Sequence, residues 1–431
     1  MASTYLTRTP STTTNRKTFT ISFWIKSSGA GGTIFSTGDY GAGDGFFNVR
    51  LSSSGRLVLD DYDQGGASYN VRWVTPGTTI FRDPSAWYHM VISVDSTQAT
   101  LSDRVNFYLN GENIDSLFTD NASGTPSQNA DFHVNYNKVH QIGRDQNNTD
   151  YFHGSMSYFH FIDGTAYDAT AFGEYDANGV WKIKTSPSVT YGTNGFFILK
   201  DGNSVTDQSP NTNNFTVGGG TLTKTEDSPS NVFATLNSLG SVQQGTLSEG
   251  NLTITSSSAY KIAPSTLAVS SGKWYVENKI TGSSPDASVG VIDVQDYQTN
   301  SSINYAGDKT NSVGYYKDGR KIIANSFSSY GASYTENDII GIALDLDSGT
   351  KTITFYKNGA SQGAINLPTT GSEEWYFLPS PYNATIKVNF GNGYFGTTAV
   401  ASAGTNASGN GIFEFDVPTG YTALSTKGLN L

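Results

Sequence analysis

The chain has 431 residues, enough for two or three domains if each takes about 100–200 residues. A formal charge of −11, a pI near 4.9 and the lack of any basic run argue against a nucleic-acid partner, which needs clustered Lys and Arg, and against an anionic membrane surface. Only 15% of residues are charged, while 25 tyrosines and 24 phenylalanines can fill cores, so an all-β chain is expected rather than disorder.

The opening Met1–Leu6 has neither a basic stretch nor an apolar run, so no Sec signal is expected. No stretch approaches the ~18 apolar residues of a membrane helix, so no membrane insertion is expected. The absence of cysteine fits folding in a reducing cytoplasm.

Strand signals then follow in order. Phe19, Ile21, Phe23 and Ile25 alternate with Thr18, Thr20, Ser22 and Trp24, which puts four apolar side chains on one face. Val105, Phe107 and Leu109 repeat the period and run into Asn110-Gly111, the strongest short hairpin signal because both turn residues need positive φ. Ala169–Tyr175 can make a helical turn or two. Ile340, Ile342, Leu344 and Leu346 alternate again, and a turn at Asp347-Ser348-Gly349 leads to Ile353, Phe355 and Asn358-Gly359. Ile386, Val388 and Phe390 form another alternating strand. Val105–Gly111 echoes Ile353–Gly359, each after a closely preceding apolar strand, as two related modules would. Between them, 184–258 gathers Pro187, Pro210, Gly218-Gly219-Gly220 and Pro229 and reads as a Pro/Gly-rich connector partly packed on the first module.

The first ~165 residues resemble the laminin-G-like, concanavalin-A-type jelly roll. The likeness rests on Phe19–Lys26, Ala86-Trp87-Tyr88-His89-Met90-Val91, the Asn110-Gly111 hairpin, and Phe152–Met156 leading to Ile162-Asp163-Gly164. Residues 272–391 resemble a SPRY domain through Gly272–Glu277, Ser312–Tyr315, Tyr330–Tyr334, Ile339–Gly359 and Val388–Gly391. The expected fold is thus two antiparallel β-sandwich (jelly-roll, concanavalin-A-like) modules, 1–183 and 259–431, joined by the connector 184–258. With the linker motif Asp227–Asn237, the arrangement resembles proteins encoded by marine phages, notably those of cyanobacteria. In that group the motif is usually richer in Asn and less interrupted.

That resemblance implies a virion protein made in the host cytoplasm, partnered by other virion proteins and expected to form a homo-oligomer. Two roles stay open: a tail-fibre or tail-appendage adhesin binding host surface glycans or proteins, and a capsid or tail decoration protein contacting only its neighbours. A glycan depolymerase would need an acid pair. The Glu-x-Asp at Glu414-Phe415-Asp416 has Thr419 where a third acid would stand, and it reads as an edge strand before Pro418. His153 and His160 are poorly spaced for zinc, and His89 reads as a packed residue. Gly218-Gly219-Gly220 precedes neither helix nor lysine, so it is no phosphate loop. No enzyme is expected, and no cofactor.

Calcium is the one ion the laminin-G resemblance admits. Its candidates are Asp61 and Asp63 in one oxygen-rich stretch and Asp145 and Asp150 in another, set against a simpler reading as turns that cap their own backbone. For recognition, Tyr40, Tyr62, Tyr151, Tyr297, Tyr330, Tyr334 and Tyr382 are expected on loops at the rims, where rings stack on sugars or peptides and nearby carboxylates and amides accept hydroxyl donors.

Overall fold

The computed structural model describes residues 4–27, 31–39, 43–76, 81, 83, 85–118, 120–121, 124–200, 205–240, 242–282 and 285–430. They divide into two units, one of residues 1–224 with 228–230, the other of residues 225–227 with 231–431.

In the first unit an eight-stranded sheet runs in the order Asp120–Asn121, Ser68–Val74, Leu57–Asp63, Gly45–Leu51, Gly32–Asp39, His140–Ile142, Tyr5–Arg8, Thr216–Gly219. A six-stranded sheet runs Phe196–Ile198, Gly154–Asp163, Thr18–Ser27, Tyr88–Asp95, Val105–Leu109, Glu112–Asn113. The period-two side chains Phe19, Ile21, Phe23 and Phe107 are fully buried between the two sheets, as alternation requires. Thr18–Ser27 hides its other face as well. Thr20 donates to the Thr165 carbonyl at 2.8 Å and accepts the Tyr167 N–H at 2.8 Å, so the segment after the closing strand folds back over it. His89 stacks between Trp24 (4.7 Å) and Trp181 (5.9 Å). Trp181 donates its indole N–H to Nδ1 at 3.0 Å, which leaves Nε2–H to donate to Ser22 at 2.9 Å. Ala169–Ala171 makes a single 3-10 turn.

The second unit centres on Lys273–Thr281. This strand pairs antiparallel with Ile339–Asp345 and Ala384–Asn389, and parallel with Thr422–Ala423. The facing five-stranded sheet runs Ser326–Ser329, Arg320–Ile323, Ser312–Tyr316, Asp286–Asp293, Trp375–Tyr382. Ile342, Leu344 and Phe355 lie in the core between them. A short helix, Val294–Thr299, is capped by Asp293, which accepts the Gln295 N–H at 2.9 Å. The stretch 184–258, expected as a connector, is shared between the units: Phe196–Ile198 and Thr216–Gly219 are strands of the first, Thr246–Ser248 and Thr253–Ser256 of the second.

The echo seen in sequence is structural. Asn110 and Gly111 take φ of 49° and 88°, Asn358 and Gly359 of 47° and 81°, each pair closing a two-residue hairpin. Each Asn side chain also accepts an N–H from the strand before it, from His89 at 2.8 Å and Ile339 at 2.9 Å. A Cβ at Gly111 would lie 2.5 Å from the Trp181 ring, and one at Gly359 2.8 Å from Phe415. Gly111→Val and Gly359→Val are therefore each expected to lower unfolding stability by roughly 1–3 kcal/mol from backbone strain alone, read from urea denaturation. Unchanged midpoints would contradict the strain argument.

Candidate recognition face of the first unit

On the eight-stranded sheet, Phe47, Val49, Leu57, Leu59, Val71 and Trp73 point into the core. Alternation therefore sends their neighbours to the opposite face. The registers place Thr7, Gln141, Ser36, Asn48, Asp60 and Arg72 side by side on six successive strands. This polar row is buried at its centre, where Asp60 is only 4% exposed. Desolvation raises the Asp60 carboxyl above its ordinary range, opposed by Arg72 and Arg50. Those guanidinium groups stand 3.8 and 3.7 Å away. The Oδ1 atoms of Asn48 and Asp60 are both buried without a hydrogen-bond partner.

Along this row lies an aromatic one. Phe46, Tyr62 and Tyr69 occupy adjoining strand positions, with ring centroids 5.5 and 4.8 Å apart. Arg72 lies 4.9 Å over Tyr69. Further along, Arg144 donates to Gln141 at 2.7 Å and lies 3.4 Å over Tyr5, whose ring is 6.3 Å from Tyr151. Neighbouring rings flanked by guanidinium groups suit a ligand with both apolar faces and hydroxyl groups.

The expected tyrosines do not form one rim. Tyr62 belongs to the aromatic row and Tyr151 pairs with Tyr5, while Tyr40 lies outside the described residues. Tyr297 is half-buried against Tyr376 at 5.7 Å. Tyr330 is half-buried, donates to the Gly363 carbonyl and accepts the Phe355 N–H. Tyr334 is a correction: at 4% exposure it is a core residue, its hydroxyl lying 2.8 Å from the Tyr315 carbonyl and 3.0 Å from that of Ala287. Its removal would damage the fold rather than a surface. Tyr382, 38% exposed, joins a cluster that sequence reasoning missed. Tyr260 stands 5.1 Å from both Tyr382 and Tyr305, and Phe327 6.0 Å from Tyr305. Outward alternation after Tyr315 could have flagged Tyr316, whose hydroxyl reaches Asp286 at 3.1 Å.

The calcium candidates each have protein partners of their own. Asp61 is buried in a strand, on the side of His133, and accepts from the His133 N–H at 2.8 Å and from Asn70 at 2.8 Å. Asp63 accepts the Gly65 N–H at 2.9 Å, and Asp145 the Thr149 N–H at 2.6 Å. Asp150 takes the Thr33 hydroxyl at 3.0 Å. Asp63 and Asp145 thus cap their own turns, while Asp61 and Asp150 tie distant segments together. Among the described residues no group of three or more His, Cys, Asp or Glu side chains could hold a metal ion. Glu414–Asp416 is likewise no edge strand; Glu414 accepts the Ala401 N–H at 2.8 Å and Asp416 that of Thr405 at 2.7 Å.

Residues 2–169 match the laminin G family described as the concanavalin A-like lectin/glucanases superfamily, and residues 273–393 match the SPRY domain family. The chain carries a concanavalin A-like domain followed by a SPRY domain. Both are β-sandwich families, in accord with the sheets described above. Among solved structures, a human SPRY domain is 19% identical over 32% of this chain and 90% of its own, with a TM-score of 0.26. The TRIM65 PSpry domain is 15% identical over 36% and 88%, with a TM-score of 0.29. The SPRY domain of human HERC1 is 20% identical over 31% and 83%, with a TM-score of 0.25. The polar and aromatic rows lie in the concanavalin A-like domain. The Tyr260–Tyr382 cluster draws on strands of the SPRY domain, with Tyr260 supplied from before its matched span.

Proposed function

We propose that this chain is a recognition protein displayed on a bacteriophage particle, and that the polar and aromatic rows of its concanavalin A-like domain hold a host-surface glycan. The observation that carries the binding step is the row of neighbouring rings Phe46, Tyr62 and Tyr69 with the Arg72 guanidinium over Tyr69. Ring faces take the apolar side of a pyranose, and the guanidinium group donates to its hydroxyl oxygens. The virion setting is supported by the sequence resemblance to marine-phage proteins. The reading includes no catalysis.

On a glycan array the whole chain should bind a defined subset of glycans, and Tyr62→Ala should weaken that binding about tenfold while the fold persists. An array with no bound glycan would sink the binding role. Purified virions that lack the chain by immunolabelling would sink the setting. A decoration role has one observation in its favour: Thr216–Gly219 is an outermost strand with Val217 exposed, an open edge on which a neighbouring subunit could pair.

A further inference from the structure

We infer that the second unit holds a separate pocket for a single neutral pyranose ring, between the start of Lys273–Thr281 and the segment 407–428. The pocket measures about 330 Å³, at the small end of the range for small-molecule sites. Tyr421 gives it an aromatic wall, with the edge of the core residue Trp274 at its base, and Lys273, Asp347 and Ser408 a polar margin.

The segment that closes the pocket is firmly anchored. Thr422 and Ala423 pair with Trp274 and Tyr275, and Asn410 donates to the Thr422 hydroxyl at 2.9 Å. Beneath, Glu277 accepts the N–H groups of Glu414 and Phe415 at 2.8 and 2.9 Å. The lining beside the indole is glycine. A Cβ at Gly272 would stand 2.8 Å from the Trp274 ring, and one at Gly428 3.0 Å from it. Glycine at both positions lets the indole pack directly on the backbone, which fixes that side of the pocket.

The charges select the class of ligand. Lys273 is neutralised by Asp345 at 2.8 Å. Asp347 spends Oδ1 on the Gly272 N–H at 2.7 Å, leaving its other oxygen to accept. An uncompensated carboxylate disfavours phosphates, nucleotides and acidic sugars but accepts hydroxyl donors, while an aromatic wall favours a sugar ring. The segment 407–428 lies beyond residues 273–393, so the pocket is shared between the matched SPRY span, which supplies Lys273, Trp274 and Asp347, and the segment that follows it.

This inference stands apart from the face in the first unit, and one experiment separates them. Saturation-transfer NMR on the full chain would use the methyl glycosides of glucose, galactose, mannose and N-acetylglucosamine at about 10 mM, suited to millimolar affinities. At least one glycoside should receive transfer, and Tyr421→Ala and Asp347→Asn should each weaken it about tenfold, while Tyr62→Ala leaves it unchanged. Asp347 is exposed, so its variant keeps the test open should Tyr421→Ala fail to fold. No transfer to any glycoside, or transfer unaffected by both pocket variants, would overturn the pocket. Transfer abolished by Tyr62→Ala alone would overturn the pocket and uphold the sheet face.

Discussion

Lowering the pH from 7 to 4 should unfold the first unit, because three of its histidines are buried in neutral form. Burial lowers His89 to about 3 and His140 to about 4, and it pushes His160 well below 6.5. His89 is held between two indoles, while His160 stacks on Phe197 at 3.9 Å and meets the Tyr191 hydroxyl at 2.9 Å. Arg8 further disfavours a charge on His140, as Lys200 does on His160. The folded pKa values lie below the unfolded one, so the unfolded chain gains protons first as pH falls through 6.5. The stability present above 6.5 is lost progressively toward 4. His89 and His140 each account for about 3 kcal/mol by pH 4, His160 acts in the same direction, and the loss rivals the roughly 5–15 kcal/mol that holds a domain. Calorimetry of the whole chain, with proteolytic mapping of what opens at each pH, should show the first unit melting earlier at every step down. A first-unit transition indifferent to pH between 7 and 4 would refute this.

The second unit should respond in the opposite sense, through Glu277. Its carboxyl is fully buried and raised to about 7, chiefly by desolvation, although two backbone N–H groups oppose the shift. A raised folded pKa means that stability is complete below 4.5 and declines as pH climbs through 7, by about 3 kcal/mol. Glu277→Gln should flatten that decline while keeping one acceptor. Glu277→Ala should be worse at every pH, leaving the Glu414 and Phe415 N–H groups without a partner, at about 1–3 kcal/mol for each. Denaturant titrations at pH 5 and pH 8 distinguish these outcomes. A wild-type second unit equally stable at both would end the argument.

The elements legible in the sequence were those set by local period and turn chemistry. Phe19 to Ile25 and Ile340 to Leu346 declared their inward faces by alternation, and the two Asn-Gly pairs declared their turns. The strand Thr253–Ser256 was hidden because Thr and Ser fit a loop as well as a strand, and only its partner Ala384–Asn389 decides. Asp61 looked like a loop carboxylate because acidic residues cluster around it, yet it continues the strand begun at Leu57 and meets His133 from a distant segment. Tyr334 resembled a rim residue, but its hydroxyl finds carbonyl acceptors inside the core. The row from Thr7 to Arg72 is a product of register, and no local pattern aligns Asn48 with Asp60.

Both units are closed by strands that emerge late in synthesis. Tyr5–Arg8 pairs with Thr216–Gly219, and Lys273–Thr281 with Thr422–Ala423. On the ribosome, Tyr5–Arg8 and the start of Lys273–Thr281 must wait unpaired on that side until nearly the whole unit has been translated. Such long-range closure makes folding slow, and the exposed edges invite pairing between neighbouring nascent chains. Yield in a fast-translating host should therefore be limited by aggregation of incomplete chains, and slower synthesis at low temperature should relieve it.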